Sequence, residues 1–420
     1  MKGGGKGAGV RRVGVLAKTG LASTALPGNR AVGERKEGDE PIRNGISSPS
    51  LRHWTLEAGP SKGTRATLVM RGATAAANWR LKKMISRKVV LGIASAVGLL
   101  LMFAGVSAAE GEHPLRAGII GLDTSHVVAF TKLLNDPAAT GDLADVHVVA
   151  AFPGGSPDIP ASRDRVAGFT EQVRGMGVEI VDSIDALLER VDVVLLESVD
   201  GRPHLEQVRP VLAAGKPVFI DKPVAGSLAD AVEIFLLAEV HGAPCFSSSS
   251  LRYSPGTQAV RDDKALGKIT GCDAYSPCSL EPHHPDLFWY GIHGVETLFT
   301  IMGPGCKTVT RVQTDNTELV VGTWRDGRVG TFRGLRSKGA TYGATVFGTA
   351  GVRQAGKYEG YQPLVLEIVR FFKTGRSPVS AEETLEIYAF MEAADESKRT
   401  GDRPVSIESV LDKARAAVGR

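Results

Sequence analysis

The sequence predicts an α/β fold whose first part is a doubly wound parallel sheet. Short apolar runs alternate with amphipathic helical stretches between Arg116 and Ser248, the pattern of strands and covering helices in such sheets. The run Val191–Leu196 is mainly apolar, as expected of a strand that is covered on both faces. A lysine, Lys222, directly follows another apolar run, at the edge where these sheets bind ligands.

Each element has a local signal in the sequence. Apolar and β-branched runs predict the strands Arg116–Leu122, Val146–Phe152, Glu179–Val181, Val191–Leu196, Pro217–Ile220 and Cys245–Ser248. Amphipathic spacing predicts the helices Thr124–Asn135, Arg163–Met176, one capped by Ser183, His204–Ala214 and Ser227–His241. Thr124 or Ser125 caps the first helix, and Gly215 ends the fourth.

The segment Ala214–Pro223, A-G-K-P-V-F-I-D-K-P, is the most informative stretch of the chain. Lys222 lies just beyond the carboxyl end of the strand Pro217–Ile220, and open α/β sheets bind ligands in the crevice outside those ends. Pro223 has no N–H and a fixed φ, so it holds the turn in one shape. A surface lysine in an ordinary turn is the alternative, and the alternating strands and helices around it favour a functional lysine.

The order of motifs resembles a known family. A strand, a glycine turn and a helix are followed by S-V-D-G-R-P-H at 198–204 and then by the Lys222 segment. This order resembles the Gfo/Idh/MocA family of NAD(P)-dependent oxidoreductases, which usually has Glu-Lys-Pro at the lysine. The resemblance runs from about Arg116 to Val410. It includes W-Y-G-I-H-G-V-E at 289–296, similar to the family's active-site helix, and F-F-K-T-G-R-S-P-V-S-A-E-E at 371–383, similar to its C-terminal return.

The resemblance implies two domains. Residues 114–244 form a Rossmann-like NAD(P)-binding domain, and residues 245–410 form an α+β domain with an open, mainly antiparallel sheet and a return helix. The second domain carries substrate contacts and often the oligomer interface, so a homo-oligomer is expected. The implied function is a hydride transfer between NAD or NADP and a sugar or sugar derivative.

The resemblance also implies the site residues. His293 takes a proton from a sugar hydroxyl, and Lys222 bridges the substrate oxygen and the cofactor. Glu296 lies on the same helix face as His293 and is expected to orient its imidazole, although a merely packed histidine is the alternative. The implied cofactor contacts are Gly121, Asp123, Thr124, Ser125, His126, Ser198, His204, Asp221, Lys222 and Pro223.

Three positions depart from the family pattern. The turn Gly121–His126 keeps only the first glycine of G-x-G-x-x-G, and Asp123 brings a negative charge where the pyrophosphate is expected. Phe152 ends the second strand where an acid usually holds the ribose. Trp289 replaces the family's aspartate four residues before His293.

Two classes of function therefore stay open. The first, which we predict, is an exported oxidoreductase or an NAD-assisted glycoside-cleaving relative that acts on a sugar. The second is a cofactor-free member that binds a carbohydrate or a protein partner. If Asp123 blocks the pyrophosphate, Asp123→Gly should tighten NAD(P) binding; if the turn has been reshaped, the same substitution should weaken it.

No metal site is predicted. Six potential ligands occur within residues 281–296: Glu281, His283, His284, Asp286, His293 and Glu296. Their spacing matches no compact ligand motif, and Pro282 and Pro285 indicate an irregular loop in which polar residues are common.

Charge is unevenly distributed along the 420 residues. Residues 1–83 hold 16 Lys and Arg against five Asp and Glu, whereas residues 84–420 hold 34 against 41. The body is acidic, so nothing in its charge indicates a nucleic-acid surface. The Gly- and Arg-rich leader 1–83 is predicted to be disordered and to lie upstream of the biological start at Met84.

A signal peptide is predicted at about 84–109. A short basic region after Met84 precedes the apolar run Val89–Val106 and the small residues of V-S-A-A-E, which predicts cleavage after Ala108 or Ala109. The protein is therefore expected to be exported, periplasmic or extracellular. A retained membrane anchor is the alternative, so membrane contact is expected only through an uncleaved signal.

The four cysteines are Cys245, Cys272, Cys278 and Cys306, and none forms a C-x-x-C pair. A zinc ribbon is therefore not predicted, whereas disulfides and buried free thiols both stay open.

Overall fold

A computed structural model describes residues 113–418 of the chain. The predictions for the leader 1–83 and the signal peptide 84–109 lie outside the described residues. Within the described part, no helix is both long and apolar enough to cross a membrane.

The first sheet is parallel and has six strands in the order β3-β2-β1-β4-β5-β6. Its strands are β1 Leu115–Ile120, β2 Val146–Phe152, β3 Glu179–Ile180, β4 Val193–Leu196, β5 Val218–Ile220 and β6 Cys245–Phe246. The helices between them are α1 Ser125–Leu134, α2 Pro160–Arg174, α3 Ile184–Leu188, α4 His204–Ala213 and α5 Leu228–His241. The strand order reverses between β1 and β4, which confirms the predicted doubly wound sheet.

The predicted boundary between the domains is two residues too early. Cys245 and Phe246, assigned from the sequence to the second domain, pair with Val218 and Phe219 of β5 as the last parallel strand. The parallel sheet therefore ends at Phe246, because the edge of β5 binds these two residues before the chain leaves it.

Both faces of the first sheet are covered. On one face, side chains such as Ile120 and Leu196 pack against α4 and α5. On the other, Ile119 and Phe219 pack against Phe130 of α1. Successive residues of a strand point to opposite faces, so the mainly apolar strands bury side chains on both.

The second sheet has seven strands in the order β12-β11-β7-β10-β9-β8-β13. Its strands are β7 Ile269–Pro277, β8 Cys306–Thr314, β9 Thr317–Trp324, β10 Val329–Leu335, β11 Gly343–Gly348, β12 Gly351–Ala355 and β13 Val405–Ser406. Only the pair β7 and β10 is parallel, so the sheet is mainly antiparallel, as predicted. The remaining helices are α6 Pro255–Arg261, α7 Ile292–Met302, α8 Gln362–Thr374, α9 Ala381–Arg399 and α10 Ile407–Ala417.

Helix α7 is the central packing element of the second domain. All of its residues are buried, from Ile292 to Met302. Gly294 allows it to approach the sheet closely, because a Cβ there would lie 2.4 Å from the Phe332 ring of β10. This close packing fixes the first turn of α7, which carries His293.

Helix α8 returns the chain to the first domain. Leu364, Ile368 and Phe372 pack in the same cluster as Phe130 and Phe246 of the first domain. The residue before α8, Tyr361, contacts the rings of His126 and Phe130 edge-on. The return helix therefore brings aromatic side chains from the end of the second sheet to the start of α1.

A buried arginine joins four segments of the second domain. Arg311 of β8 is fully buried and forms ion pairs with Glu318 of β9 at 2.6 Å, with Asp286 at 2.7 Å and with Asp395 of α9. Lys398 also contacts Asp286, at 2.7 Å. Asp286 is therefore paired with two cations and has a structural role.

The four cysteines are buried free thiols, which decides between the two alternatives left open by the sequence. Burial raises the pKa of Cys245, Cys278 and Cys306 to about 12, so these thiols are protonated at neutral pH.

Candidate active site

A pocket of about 470 Å³ lies between the two domains. The first domain contributes the start of α1, at Thr124, Ser125 and His126, and Lys222 beyond β5. The second domain contributes Trp289, His293 and four tyrosines, Tyr290, Tyr342, Tyr358 and Tyr361. The pocket is therefore at the carboxyl edge of the parallel sheet, where Lys222 was expected to lie.

Lys222 is held against the second domain. The residue is buried, with only 8 % of its surface exposed, and its Nζ lies 5.5 Å from the centroid of the Tyr290 ring. The peptide bond to Pro223 is cis. No described residue forms a hydrogen bond or ion pair with Nζ. The cation is attracted by the Tyr290 ring and by the nearby buried carboxylates of Glu197 and Asp221, and it is available to a ligand.

His293 lies in the first turn of α7 and faces the same pocket. Its Nδ1 is 2.8 Å from Ser249 Oγ, and the rings of Tyr290 and Tyr342 contact it edge-on. Burial, and then the positive charge of Lys222, lower the pKa of His293 well below its usual value. The imidazole is therefore neutral at pH 7 and can accept a proton.

The expected role of Glu296 is wrong. Its carboxylate does not contact His293; it forms an ion pair with the buried Arg252 and accepts a hydrogen bond from Ser248 Oγ at 3.0 Å. Arg252 needs this counter-charge because it is buried. The group that orients His293 is Ser249, a residue from the segment after β6 that the sequence did not single out.

Gly121 and Ser198 contact each other and not the pocket. Gly121 has a φ of +88°, and a Cβ at this position would lie 2.3 Å from Ser198 Oγ. The N–H groups of Gly121 and Leu122 donate to the carbonyls of Phe152 and Pro153, at 2.9 and 2.6 Å. Two backbone donors of the turn are thus used inside the protein, which differs from the expected pyrophosphate cradle.

Asp123 is also not a cofactor contact, contrary to the prediction. Its side chain is fully buried, accepting hydrogen bonds from Ser162 Oγ at 2.6 Å and from the Val199 N–H at 2.9 Å. Burial raises its pKa above the ordinary value. The carboxylate bridges the first turn of α2 to the loop after β4, so the turn has been reshaped around it.

His204, another expected cofactor contact, is structural. The residue is fully buried, and its ring nitrogens lie 2.8 Å from the Ser198 carbonyl and 3.2 Å from the Val224 carbonyl. Burial lowers its pKa, so it is neutral, and its single N–H donates to one of these two carbonyls. Pro223 is likewise buried beside Gly201 and is not in the pocket wall.

The start of α1 does face the pocket. Thr124 caps the helix, its Oγ1 accepting from the His126 N–H at 3.4 Å, and Ser125 lies beside it. Helix N-termini bind anions through their free N–H groups and the helix dipole. Arg165 of α2 lines the same pocket and forms no ion pair with any described residue.

Three ionisable side chains meet below the pocket floor. His126 Nδ1 lies 2.6 Å from Asp221 Oδ2 and 3.9 Å from Glu197 Oε2. Burial and then Asp221 raise the pKa of Glu197 well above its usual value. Burial alone would raise the pKa of Asp221 too, but His126 lowers it. Glu197 was not among the residues predicted from the sequence, although a glutamate that directly follows the apolar run V-V-L-L is unusual.

The six potential ligands within residues 281–296 do not gather. His283 pairs with Glu281 at 2.6 Å, and His284 pairs with Asp200 at 3.1 Å. Asp286 belongs to the Arg311 ion pairs, whereas His293 and Glu296 have the separate partners given above. No metal site forms from this set.

A parallel sheet of this order, a lysine beyond β5 and a mixed second sheet closing the pocket define a class of two-domain proteins built on a dinucleotide-binding fold. The model of the Gfo/Idh/MocA oxidoreductase family, NAD-binding Rossmann fold, matches residues 116–249. Over these residues of the first domain, the chain is similar to the family's NAD-binding fold.

Two curated relatives match parts of the chain. One, from Amycolatopsis mediterranei, is named as a UDP-kanosamine synthase oxidoreductase subunit and is 26% identical over 225 residues, 50% of this chain and 58% of that protein. The other, 1,5-anhydro-D-fructose reductase of Ensifer adhaerens, is 32% identical over 109 residues, 26% of this chain and 32% of that protein. The chain thus spans less than two thirds of either relative.

Solved structures share the fold. Scyllo-inositol dehydrogenase from Lactobacillus casei, with NAD(H) and scyllo-inositol, has a TM-score of 0.58 at 16% identity, covering 70% of this chain and 99% of that chain. GenD2 from gentamicin A biosynthesis, in complex with NAD, has a TM-score of 0.57 at 18% identity, covering 70% of this chain and 96% of that chain.

Proposed function

We propose that this protein is an NAD(P)-dependent oxidoreductase that transfers a hydride between the nicotinamide cofactor and a sugar or sugar derivative. The observation that carries the proposal is that Lys222 and His293, from different domains, line one pocket at the carboxyl edge of the parallel sheet. The match of residues 116–249 to the family and the names of the relatives support it.

His293 is the proton acceptor in this proposal. Oxidation of a secondary alcohol removes a proton from oxygen and a hydride from carbon, and leaves a ketone. The bound nicotinamide supplies the hydride acceptor. The neutral imidazole of His293 takes the hydroxyl proton, and the ammonium group of Lys222 stabilises the negative charge that develops on the oxygen.

The pocket fits the phosphate part of a dinucleotide. The start of α1 at Thr124 and Ser125 offers N–H groups, and Arg165 offers an unpaired cation on the wall formed by α2. No acid stands at the end of β2, where the family usually holds the ribose, because Phe152 ends this strand. Asp158, in the loop after β2, has both carboxylate oxygens bonded to Arg202 at 2.9 Å. NAD and NADP are therefore both to be tested.

The tyrosines of the pocket support a sugar-like substrate. Tyr290 and Tyr342 join through their hydroxyl groups at 3.1 Å, and the rings of Tyr358 and Tyr361 contact each other at 5.5 Å. Aromatic faces pack against the C–H groups of a sugar ring, and phenol hydroxyls bond its oxygens. Such a lining suits a polyhydroxylated ring better than an apolar one.

One observation favours the second candidate function, a family member that binds a carbohydrate without a cofactor. The N–H groups of Gly121 and Leu122 donate inside the protein, so the turn offers fewer donors to a pyrophosphate than G-x-G-x-x-G does. Calorimetric titration of the purified chain with NAD and with NADP separates the two candidates. Binding of a sugar with no binding of either dinucleotide would favour the second.

We also infer a homo-oligomer formed through the open face of the second sheet. Alternate residues of its strands leave apolar side chains partly exposed, among them Leu319, Val321, Phe347 and Val329, which is 46% exposed. Light scattering on the purified protein tests this: a monomer at micromolar concentration would contradict it.

A further inference from the structure

Three side chains with metal-binding atoms converge at the carboxyl edge of the first sheet. His126 comes from the first turn of α1, Glu197 directly follows β4, and Asp221 directly follows β5. One ligand atom from each lies within 4.8 Å of the others. The convergence follows from the topology, because β4 and β5 are neighbours and α1 begins beside them.

Three of the four carboxylate oxygens of Glu197 and Asp221 lack a hydrogen-bond partner among the described residues. Glu197 is fully buried, and neither of its oxygens accepts a hydrogen bond from a described residue. Asp221 Oδ1 is also buried without a partner, whereas its Oδ2 contacts His126. A buried carboxylate without a hydrogen-bond donor or counter-charge is strongly unfavourable, and two side by side also repel. The ammonium group of the neighbouring Lys222 makes no hydrogen bond to either side chain.

We propose that His126, Glu197 and Asp221 bind one divalent metal ion of the zinc or manganese type. An imidazole nitrogen with two carboxylates is a donor set that such ions accept, and three protein ligands leave an open position for water or substrate. The ion supplies the positive charge that the two orphaned carboxylates need.

The distances are compatible with one ion after a small adjustment. Zinc–ligand bonds of about 2.1 Å place tetrahedral ligand atoms roughly 3.4 Å apart. His126 Nδ1 and Glu197 Oε2, at 3.9 Å, are near this separation, whereas Nδ1 and Asp221 Oδ2, at 2.6 Å, are too close for both to bind one ion. Ion binding therefore requires the hydrogen bond between His126 Nδ1 and Asp221 Oδ2 to open, so that the nitrogen and one Asp221 oxygen can each bind the ion.

The imidazole is already oriented for this role. The His126 ring stacks on Phe130, with centroids 5.5 Å apart, and meets Tyr361 edge-on at 4.7 Å. These contacts direct Nδ1 toward the carboxylates while the ring itself lines the pocket. The ion would therefore lie in the wall of the pocket, and its binding does not depend on a nicotinamide cofactor.

A proton shared by Glu197 and Asp221 would also explain why their oxygens lack hydrogen-bond donors. Glu197→Gln distinguishes this explanation from metal binding. The amide keeps the size of the side chain and can donate a hydrogen bond to Asp221, but it removes an anionic ligand. Glu281→Gln is the matched control, because it removes a carboxylate that lies beside another histidine, His283, outside the cluster.

The test is calorimetric titration of the chelator-treated full chain with Zn²⁺ and with Mn²⁺, without nucleotide, together with the thermal unfolding midpoint. We expect one ion per chain, a raised midpoint, at least a hundredfold weaker binding by Glu197→Gln and unchanged binding by Glu281→Gln. His126→Gln, at the pocket wall, is a second variant expected to lose binding if Glu197→Gln does not fold. The proposal is overturned if the wild type binds neither ion, or if a folded cluster variant binds as tightly as the wild type.

Discussion

The ammonium group of Lys222 lies 5.5 Å from the centre of the Tyr290 ring, and no described residue forms a hydrogen bond or ion pair with it. Tyr290 in turn contacts His293. Its ring therefore lies between the Lys222 ammonium group of the first domain and the His293 imidazole of the second, and it positions both. Both domains therefore contribute side chains to the pocket. Burial, and then the nearby Lys222 cation, lower the pKa of His293 and keep its imidazole neutral.

The lowered pKa of His293 predicts a pH dependence of stability. The folded protein disfavours imidazolium, so the contribution of His293 is complete above the unfolded pKa of about 6.5 and is lost as the pH falls below it. Between about pH 7.5 and pH 5.5, wild type should lose about 1 kcal/mol more unfolding free energy than His293→Gln. Urea unfolding at both pH values measures this. Equal losses would show that His293 is free to protonate.

Asp123→Gly should weaken NAD(P) binding and destabilise the protein. The glycine removes both hydrogen bonds that join α2 to the loop after β4, leaving the buried Val199 N–H unpaired, at a cost of about 1 to 3 kcal/mol. Asp123→Asn is the control, since the amide can bond both Ser162 and Val199. Tighter dinucleotide binding by the glycine variant would instead show that the carboxylate obstructs the pyrophosphate.

Arg311→Leu should be among the most destabilising single changes in the second domain. It leaves Asp286, Glu318 and Asp395 without their shared cation, and removing one partner of a buried ion pair costs about 3 to 5 kcal/mol. Arg353→Leu, which breaks an exposed pair with Asp263, should change stability by less than about 1 kcal/mol. Comparable losses in thermal unfolding for the two variants would argue against the buried cluster.

We propose that residues 84–109 direct export, so the mature protein should begin near Ala109 or Glu110. N-terminal sequencing of protein recovered from a secreting host measures the cleavage position. A variant with Ala108→Tyr and Ala109→Tyr should keep the uncleaved chain, because the enzyme that removes the signal needs small residues there. Peptides from residues 1–83 in the mature protein would contradict the prediction.

Local patterns were sufficient to predict the first sheet. Apolar runs located all six strands, and the position of Lys222 beyond β5 follows from the end of one run. The predicted start of α2 at Arg163 was late, since the helix begins at Pro160, a residue tolerated in the first turn. Short-range signals are reliable here because the central strands β1, β4 and β5 are mainly apolar and buried.

The side-chain partners in the site could not be predicted, because they join residues far apart in sequence. Ser249, which bonds His293, and Arg252, which pairs with Glu296, come from the segment after β6. Helical spacing alone placed Glu296 beside His293, but the buried Arg252 needs its carboxylate. Glu197 could have been singled out from the sequence, because it is a charged residue at the end of an apolar strand.

The most direct test of the proposed function is hydride transfer itself, measured with the purified full chain, NAD or NADP, and a panel of sugars and polyols. We expect calorimetric binding of at least one dinucleotide and sugar-dependent formation of reduced nicotinamide. Lys222→Met should lower the turnover rate by roughly a hundred- to ten-thousandfold while the protein stays folded. Lys132→Met, on the exposed face of α1, should leave the rate unchanged. Failure of the wild type to bind either dinucleotide, or full activity of Lys222→Met, would contradict the proposal.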